Sequence, residues 1–458
     1  MNTLHHFSFT MPISGSEMTG LEPSMRKGVK NSYDIIIIGS GIAGLYSAYN
    51  IQKLAPNKTF LVLEKYKKNW IGGRLNNEEF YGTTVVTGAG IGRKDKDHLL
   101  QALLKELHIE YTDFKLDVNY ALVDGDPVDV NKIFLALKKQ YLQSKNETYN
   151  DGSSIKKKTF KQFAKPLLGS KLYQRFIETI GYTDYENEDV SQTLYKYGMD
   201  DNTGGLNGLY IPWKQLIQTL VHKIGTQFVK ASNNVTSIQP NSRNDTTSVT
   251  CKKYILETDK GVIYYCDKVI IATTITGIQK LLPQLLNKTQ YSLYNYIKGQ
   301  PFLRLYAKFP KASADIMRQY VPTYTIVSGP LQKIIPMSKE KGVYMIAYSD
   351  NENAEVLKGH LENTAKNRLF FAKLLEDTLK IPPNTLQITA LLDFYWPTGT
   401  HYYSPLPKGL TANEYIHDVQ HPLPDILVVG EVVAANQGWT EGALDSVAKA
   451  LTQKWLCK

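Results

Sequence analysis

The first strongly apolar stretch of the chain is Tyr33-Asp34-Ile35-Ile36-Ile37-Ile38, a short β-branched run that predicts a strand. It meets Gly39-Ser40-Gly41-Ile42-Ala43-Gly44, after which Leu45 to Leu54 predicts a helix. A second apolar run, Phe60-Leu61-Val62-Leu63, ends on Glu64. Strand, glycine turn, helix and strand in that order predict a βαβ unit.

From about Asp95 to Gly225 the pattern becomes helical. Leu99, Leu100, Leu103, Leu104 and Leu107 recur at i, i+3 and i+4 spacing, as do Trp213, Leu216, Ile217, Leu220, Val221 and Ile224. Between them Asn146 to Ser154 is polar and reads as an exposed loop. Strand-like runs resume at Val235-Thr236-Ser237-Ile238, Tyr254-Ile255-Leu256 and Lys268-Val269-Ile270-Ile271-Ala272-Thr273. Phe302 to Phe309 and Val343 to Tyr348 predict further strands, Thr364 to Leu379 a helix, and Gly399 to Tyr403 a tyrosine-rich loop. The chain is expected to weave between two domains. An extension at 1–30 precedes nucleotide-binding segments at 31–94, 226–290 and 405–458, interleaved with a mainly helical insertion at 95–225 and a sheet at 291–404.

Each glycine of the first turn does something a side chain would prevent. Gly39 permits the tight turn, Gly41 lets backbone N–H groups approach a pyrophosphate, and Gly44 lets the helix pack on the sheet. The helix N-terminus, with Ile42 and Ala43 in its first turn, then faces an anion with unpaired N–H groups and a positive dipole end. Glu64 is placed to accept hydrogen bonds from ribose hydroxyls and would repel a 2′-phosphate, so NADP is the least suitable dinucleotide. Small-residue loops follow at Gly72-Gly73-Arg74 and at Gly88-Ala89-Gly90-Ile91-Gly92, where bulk would block a flat cofactor. Near the other end, Ile426-Leu427-Val428-Val429-Gly430-Glu431 leads into Gly438-Trp439-Thr440-Glu441-Gly442-Ala443 and a closing amphipathic segment.

Composition changes this picture little. With 458 residues, 42% hydrophobic and 21% charged, the chain has the make-up of a globular protein of two or three domains. A net charge of +10 suggests an anionic partner, but the lysines are dispersed and their densest runs, at Lys65 to Lys68 and Lys156 to Lys158, read as solvated loops. No nucleic-acid module with a known signature is evident. Cys251, Cys266 and Cys457 lack metal or disulfide spacing and fit a reducing, intracellular compartment. Residues 1–30 lack a basic start and apolar core, which predicts a flexible extension rather than a secretion signal. No apolar run is long enough to span a bilayer, so a soluble protein is expected.

From Tyr33 to Trp455 the motifs GSGIAG, Glu64, GGR and GE…GWTEGA resemble the flavin-containing amine oxidase superfamily, which includes monoamine, polyamine and L-amino-acid oxidases. The resemblance implies an α/β fold: a Rossmann-like FAD-binding domain of the GR2 type interwoven with a mixed-sheet and helical substrate domain. It implies that Gly39, Gly41, Ile42, Ala43, Gly44, Glu64, Gly73, Arg74 and Val235 lie around the adenine, ribose and phosphates of FAD. Gly430 and Glu431 would face the pyrophosphate and ribityl chain, and Thr440 would begin a helix beneath the flavin. A helix N-terminus there favours the negative charge of reduced flavin.

The resemblance also implies two aromatic walls for the substrate amine. Trp439 matches one, and the other falls at His401 or Tyr402. Thr400 stands where monoamine oxidases carry the flavin-linking cysteine, so FAD is expected to be non-covalent. Arg304 matches the position of a lysine that holds a water near flavin N5; arginine keeps the charge but cannot give up a proton, which leaves an acceptor other than oxygen open. The implied reaction is oxidation of a small-molecule amine CH–NH group to an imine, with hydride transfer to flavin N5 and reoxidation by O2 giving H2O2. Alternatives are a carbon–carbon desaturase of the protoporphyrinogen-oxidase kind and a flavin-binding scaffold without turnover. A homodimer stays open.

Overall fold

The computed structural model describes residues 31–123, 125–144, 157–198, 205–241, 251–406 and 410–457. The extension read at 1–30 and the loop read at Asn146 to Ser154 lie outside them.

The first sheet is built on strand Ser32–Ile38, parallel to Phe60–Leu63 on one side and to Ile263–Ile271 on the other. Val229–Lys230 extends it in parallel beyond Phe60–Leu63, and Ile426–Val428 in parallel beyond Ile271. Successive side chains on a strand point to opposite faces. Ile35 and Ile37 accordingly join a core with helices Ile42–Leu54, Trp213–Ile224 and Thr440–Ala450. Ile36 and Ile38 join a core with helices Ile275–Leu281 and Ala412–Gln420. A sheet covered on both faces explains the continuous apolar runs of its strands. The N-terminal half of Ile263–Ile271 pairs instead with Tyr254–Thr258, which pairs with Val235–Pro240, an antiparallel meander at the sheet edge.

The second sheet has the order Ala390–Tyr403, Ile297–Lys308, Val343–Asp350, Lys333–Ser338, Tyr324–Val327 and Val118–Ala121. One face, with Leu303, Leu305 and Ile346, packs on helices Lys311–Tyr320 and Ala365–Leu379. The other face carries Phe302, Arg304 and Tyr348 toward the first sheet and encloses the site.

Strands accompany the helices of the segment read as mainly helical, and one stretch read as a loop is a strand. The segment 95–225 holds helices His98–Glu106, Val130–Gln143, Phe160–Ile180, Val190–Tyr195 and Trp213–Ile224 but also strands, and Val118–Ala121 joins the second sheet by pairing with Tyr324–Val327. The stretch Gly399 to Tyr403, read as a loop, is the end of the long strand Ala390–Tyr403. Pro397 and Gly399 lie in the middle of this strand. The strand absorbs them in a bulge, since Gln300 faces Thr400 while Phe302 faces Trp396.

Candidate functional site

The glycine turn lies at the carboxyl end of strand Ser32–Ile38. Gly39 has φ +104°, and a Cβ there would sit 2.4 Å from the Ala272 carbonyl oxygen. At Gly44 a Cβ would sit 1.9 Å from the Gly39 carbonyl oxygen, so the first helical turn rests directly on the turn before it. Gly41 is different: a Cβ there would meet nothing within 4 Å. Its backbone borders open space at the N-terminus of helix Ile42–Leu54, whose N-cap makes no side-chain hydrogen bond. Gly73, at φ +60°, places its missing Cβ 3.8 Å from Gly41 Cα, so the Gly-Gly-Arg loop borders the same space.

Glu64 is buried at the end of its strand. Its Oε2 accepts from Ser40 N–H at 2.8 Å and Ser40 Oγ–H at 2.7 Å, and Oε1 accepts from Tyr66 N–H at 2.8 Å. Its carbonyl accepts from Asn233 N–H at 2.7 Å, which brings the start of Val235–Pro240 beside it.

From this turn an inner chamber of about 140 Å³ runs past Ile42, Arg74, the Gly88 to Ile91 loop, Gly399, Thr400 and Glu431 to Trp439 and Thr440. The loop is held by its carbonyls: Trp396 Nε1 donates to Thr87 at 2.7 Å, Trp213 Nε1 to Gly90 at 3.1 Å, and Arg304 Nε to Gly88. Arg74 Nη1 donates to the Gly399 carbonyl at 2.5 Å and to Glu431 Oε2 at 3.0 Å, tying the two sheets together across the chamber. Burial would raise the Glu431 carboxyl; the His401 ring and the Arg74 guanidinium beside it, with the Gly438 N–H, outweigh that and bring it down to about 2. Gly430, at φ +120°, donates its N–H to Ser446 Oγ at 2.7 Å.

Trp439 is the N-cap of helix Thr440–Ala450 and gives no side-chain cap, so that helix presents bare N–H groups at the chamber through Thr440. The buried Arg93, clamped by Asp97 at 2.7 Å, lies 3.9 Å over the Trp439 ring and fixes its plane. Arg304 is buried, stacks at 3.8 Å on Tyr348 and lines the chamber.

His401 and Tyr402 do not line this chamber. His401 is buried with Nδ1 on Glu431 Oε2 at 2.6 Å and Nε2 accepting from Ile275 N–H at 3.1 Å. Accepting at Nε2 makes Nδ1 the donor, so both ring nitrogens are engaged within the protein. Tyr402 and His401 border a small adjoining pocket of about 10 Å³ that shares Asp184, Tyr197, Gln437 and Gly438 with the chamber. Trp396 and Thr400, on either side of the bulge at Pro397 to Gly399, line the chamber, and His401, next along the strand from Thr400, points to the opposite face. The aromatic residues that share the chamber with Trp439 are Tyr182, Tyr197, Phe302, Tyr348 and Trp396. Sequence reasoning missed these and Asp184, which arrive from unconnected segments with no spacing motif; Trp396, beside the Pro-Thr-Gly bulge, carried the nearest thing to a signal.

A wider cavity of about 1040 Å³ shares Gly90, Ile91, Tyr182, Arg304, Tyr348 and Trp439 with the chamber and forms its approach. No group of acidic, histidine or cysteine side chains suited to a metal ion occurs among the described residues, and no helix among them is long and apolar enough to cross a membrane.

A glycine turn at the carboxyl end of a parallel sheet, beside a chamber walled by a second sheet, defines a mixed α/β fold with its principal cleft between the two sheets. The chain belongs to the flavin-containing amine oxidoreductase family, whose model matches residues 42–450. Its fold is similar to that of putrescine oxidase variants redesigned for cofactor binding. A double mutant aligns with TM-score 0.70 and 15% identity over 93% of this chain and 100% of that one. A single mutant aligns with TM-score 0.69 and 15% identity over 93% and 99%. An uncharacterized protein of Acanthamoeba polyphaga mimivirus is 20% identical over 92% of this chain and 93% of its own length.

Proposed function

We propose that the chamber holds FAD without a covalent link and oxidises the CH–NH or CH–NH2 group of a small-molecule amine to an imine, with O2 as acceptor and H2O2 as product. The observation that carries this reading is a chamber that reaches from Ile42, the first residue of the helix after the glycine turn, past Arg74 and Glu431 to the aromatic wall at Trp439. The residues present suit the cofactor. Gly39, Gly41, Ile42, Ala43 and Gly44 offer an anion-binding helix start, Glu64 a ribose acceptor, Gly73, Arg74 and Val235 the neighbouring walls, and Gly430 and Glu431 the middle of the groove.

Bound there, the flavin supplies a two-electron acceptor that the side chains lack. The chain's own part is to orient and to exclude water. Trp439 and the tyrosines wall off the amine, and the bare N-terminus at Thr440 biases the site toward negative charge. A non-covalent cofactor is supported by the chamber wall itself, where Thr400 stands and no cysteine does: Cys266 is buried in the first sheet, and Cys251 and Cys457 are exposed.

The test is spectroscopic. The purified protein should show a flavin band, release the flavin on acid precipitation, bleach anaerobically with an amine and recover in air with peroxide. Flavin that stays with the precipitate would overturn the non-covalent assignment, and a band that no amine bleaches would overturn the reaction.

A further inference from the structure

Four charged side chains line the inner chamber: Arg74, Asp184, Arg304 and Glu431. Arg74 and Glu431 neutralise each other at 3.0 Å. The other two make no ion pair within 4 Å among the described residues, although Asp184 is only 9% exposed and Arg304 only 5%; the buried Lys333 and Asp350 beside them offset one another and complete neither at contact distance. Leaving a buried charge without its counterpart is costly, and such charges are retained where a ligand completes them.

Both groups are aimed by the protein and left incomplete. Arg304 alternates with Leu303 and Leu305 on its strand, which turns it off the helix-covered face. Nε donates to the Gly88 carbonyl, Nη1 lies 3.7 Å from Met345 Sδ, and the plane rests on Tyr348. Nη2 lies 3.3 Å from where a Gly90 Cβ would sit, on the glycine-loop side of the chamber. Asp184 Oδ1 accepts from Tyr197 O–H, while Oδ2 has no partner among the described residues and is not sealed. Behind it, Asp350 accepts from Thr183 N–H and Oγ–H and from Asp184 N–H, at 2.7 to 3.0 Å, which pins the Asp184 backbone.

We propose that the substrate is a zwitterion, an amine that also carries a carboxylate, with Arg304 binding the carboxylate and Asp184 the ammonium. The proposal rests on the reading of the chamber as the place where an amine is oxidised. A planar guanidinium is suited to a carboxylate, and an acid lining the same chamber without contacting that guanidinium offers a second, oppositely charged end. Asp184 also has a proton to handle. Oxidation needs the neutral amine, so the ammonium N–H bond breaks and the proton passes to Asp184 Oδ2, giving a free amine and a carboxylic acid. Burial and the neighbouring Asp350 push the Asp184 carboxyl up to about 7 against the pull of Tyr197 and Lys333, which suits that exchange.

The experiment compares matched pairs that differ only in the carboxylate, L-phenylalanine with phenethylamine and L-ornithine with putrescine, by anaerobic bleaching of the flavin-loaded protein and by calorimetric binding. The amino acid of a pair should bleach at least about 100-fold more efficiently than its decarboxylated partner. R304Q should reduce that preference at least about 10-fold, and R304K should restore part of it. Flavin content and melting temperature report separately whether R304Q still folds; if it does not, D184N, which keeps the shape and the Tyr197 contact, should weaken binding of the amino acid at pH 8. A preference for the decarboxylated partners, or a preference unchanged in R304Q, would overturn the zwitterion while leaving amine oxidation in place. Bound flavin that none of the four compounds bleaches, with no calorimetric binding, would sink both.

Discussion

Gly44 stands so close to Gly39 that its missing Cβ would fall 1.9 Å from the Gly39 carbonyl oxygen. The helix that faces the proposed phosphate site therefore cannot dock against its strand with even one methyl group between them. Changing Gly44 to alanine should lower stability by about 1–3 kcal/mol or more and strip the flavin, measured by thermal melting and by absorbance after gel filtration. Gly41→Ala, with open space at its Cβ, should leave the melt of the flavin-free protein nearly unchanged while weakening flavin retention.

Glu64 invites a paired test. Removing its carboxylate orphans the buried Ser40 N–H as well as the proposed ribose contact, so Glu64→Ala should cost the flavin-free protein about 1–3 kcal/mol in addition to reducing FAD affinity. A normal melt of flavin-free Glu64→Ala would show that Ser40 finds another partner.

Trp439 should separate chemistry from cofactor binding. Trp439→Ala removes one wall of the chamber and frees Arg93 from its stack, so amine turnover should fall at least about 10-fold more than flavin retention. Equal losses of both would show that Trp439 supports the cofactor rather than the substrate.

Two carboxyls should give opposite pH dependences. Glu431 is lowered in the folded protein to about 2, so the unfolded chain binds more protons between about 2 and its ordinary 4.5. The stability it contributes is present above 4.5 and lost as pH falls toward 2, and Glu431→Gln should flatten that loss in denaturant melts. Asp184 is raised from 3.8 to about 7, so the folded protein binds the extra proton. Its contribution is full below about 4 and is lost as pH rises through 7; Asp184→Asn should gain on the parent protein across that window. Tyr197, Glu188, Asp350 and Lys333 surround it and stay in place in the comparison. A difference curve that is flat from pH 4 to 8 would contradict the assignment.

What the chain revealed before folding was whatever repeats locally. The run Ile35 to Ile38 and the spacing of Leu99 to Leu107 each encode a period, Gly39 a forced backbone conformation and Gly44 a close approach, and each became the expected element. The wall of the chamber was not legible in this way. Arg304 reaches it because its strand alternates, but Tyr182 and Asp184 follow the end of helix Phe160–Ile180, and Tyr348 comes from a different strand. Their meeting is a property of sheet order, which leaves no trace in spacing. The contact of His401 with Glu431 was equally illegible, because Glu431 comes from a segment thirty residues on and no spacing joins the two.

Strand Ile263–Ile271 is flanked in parallel by Ser32–Ile38, from near the start of the described chain, and by Ile426–Val428, from near its end. During synthesis, a ribosome that has released the glycine turn, the acidic ribose acceptor and the whole second sheet has still not delivered Ile426 to Val428 or the helix that starts at Thr440. Until Ile426 to Val428 emerge, one edge of strand Ile263–Ile271 is unpaired over Val269 to Ile271, and a chain cut short before Ile426 would present that edge as a template for wrong pairing.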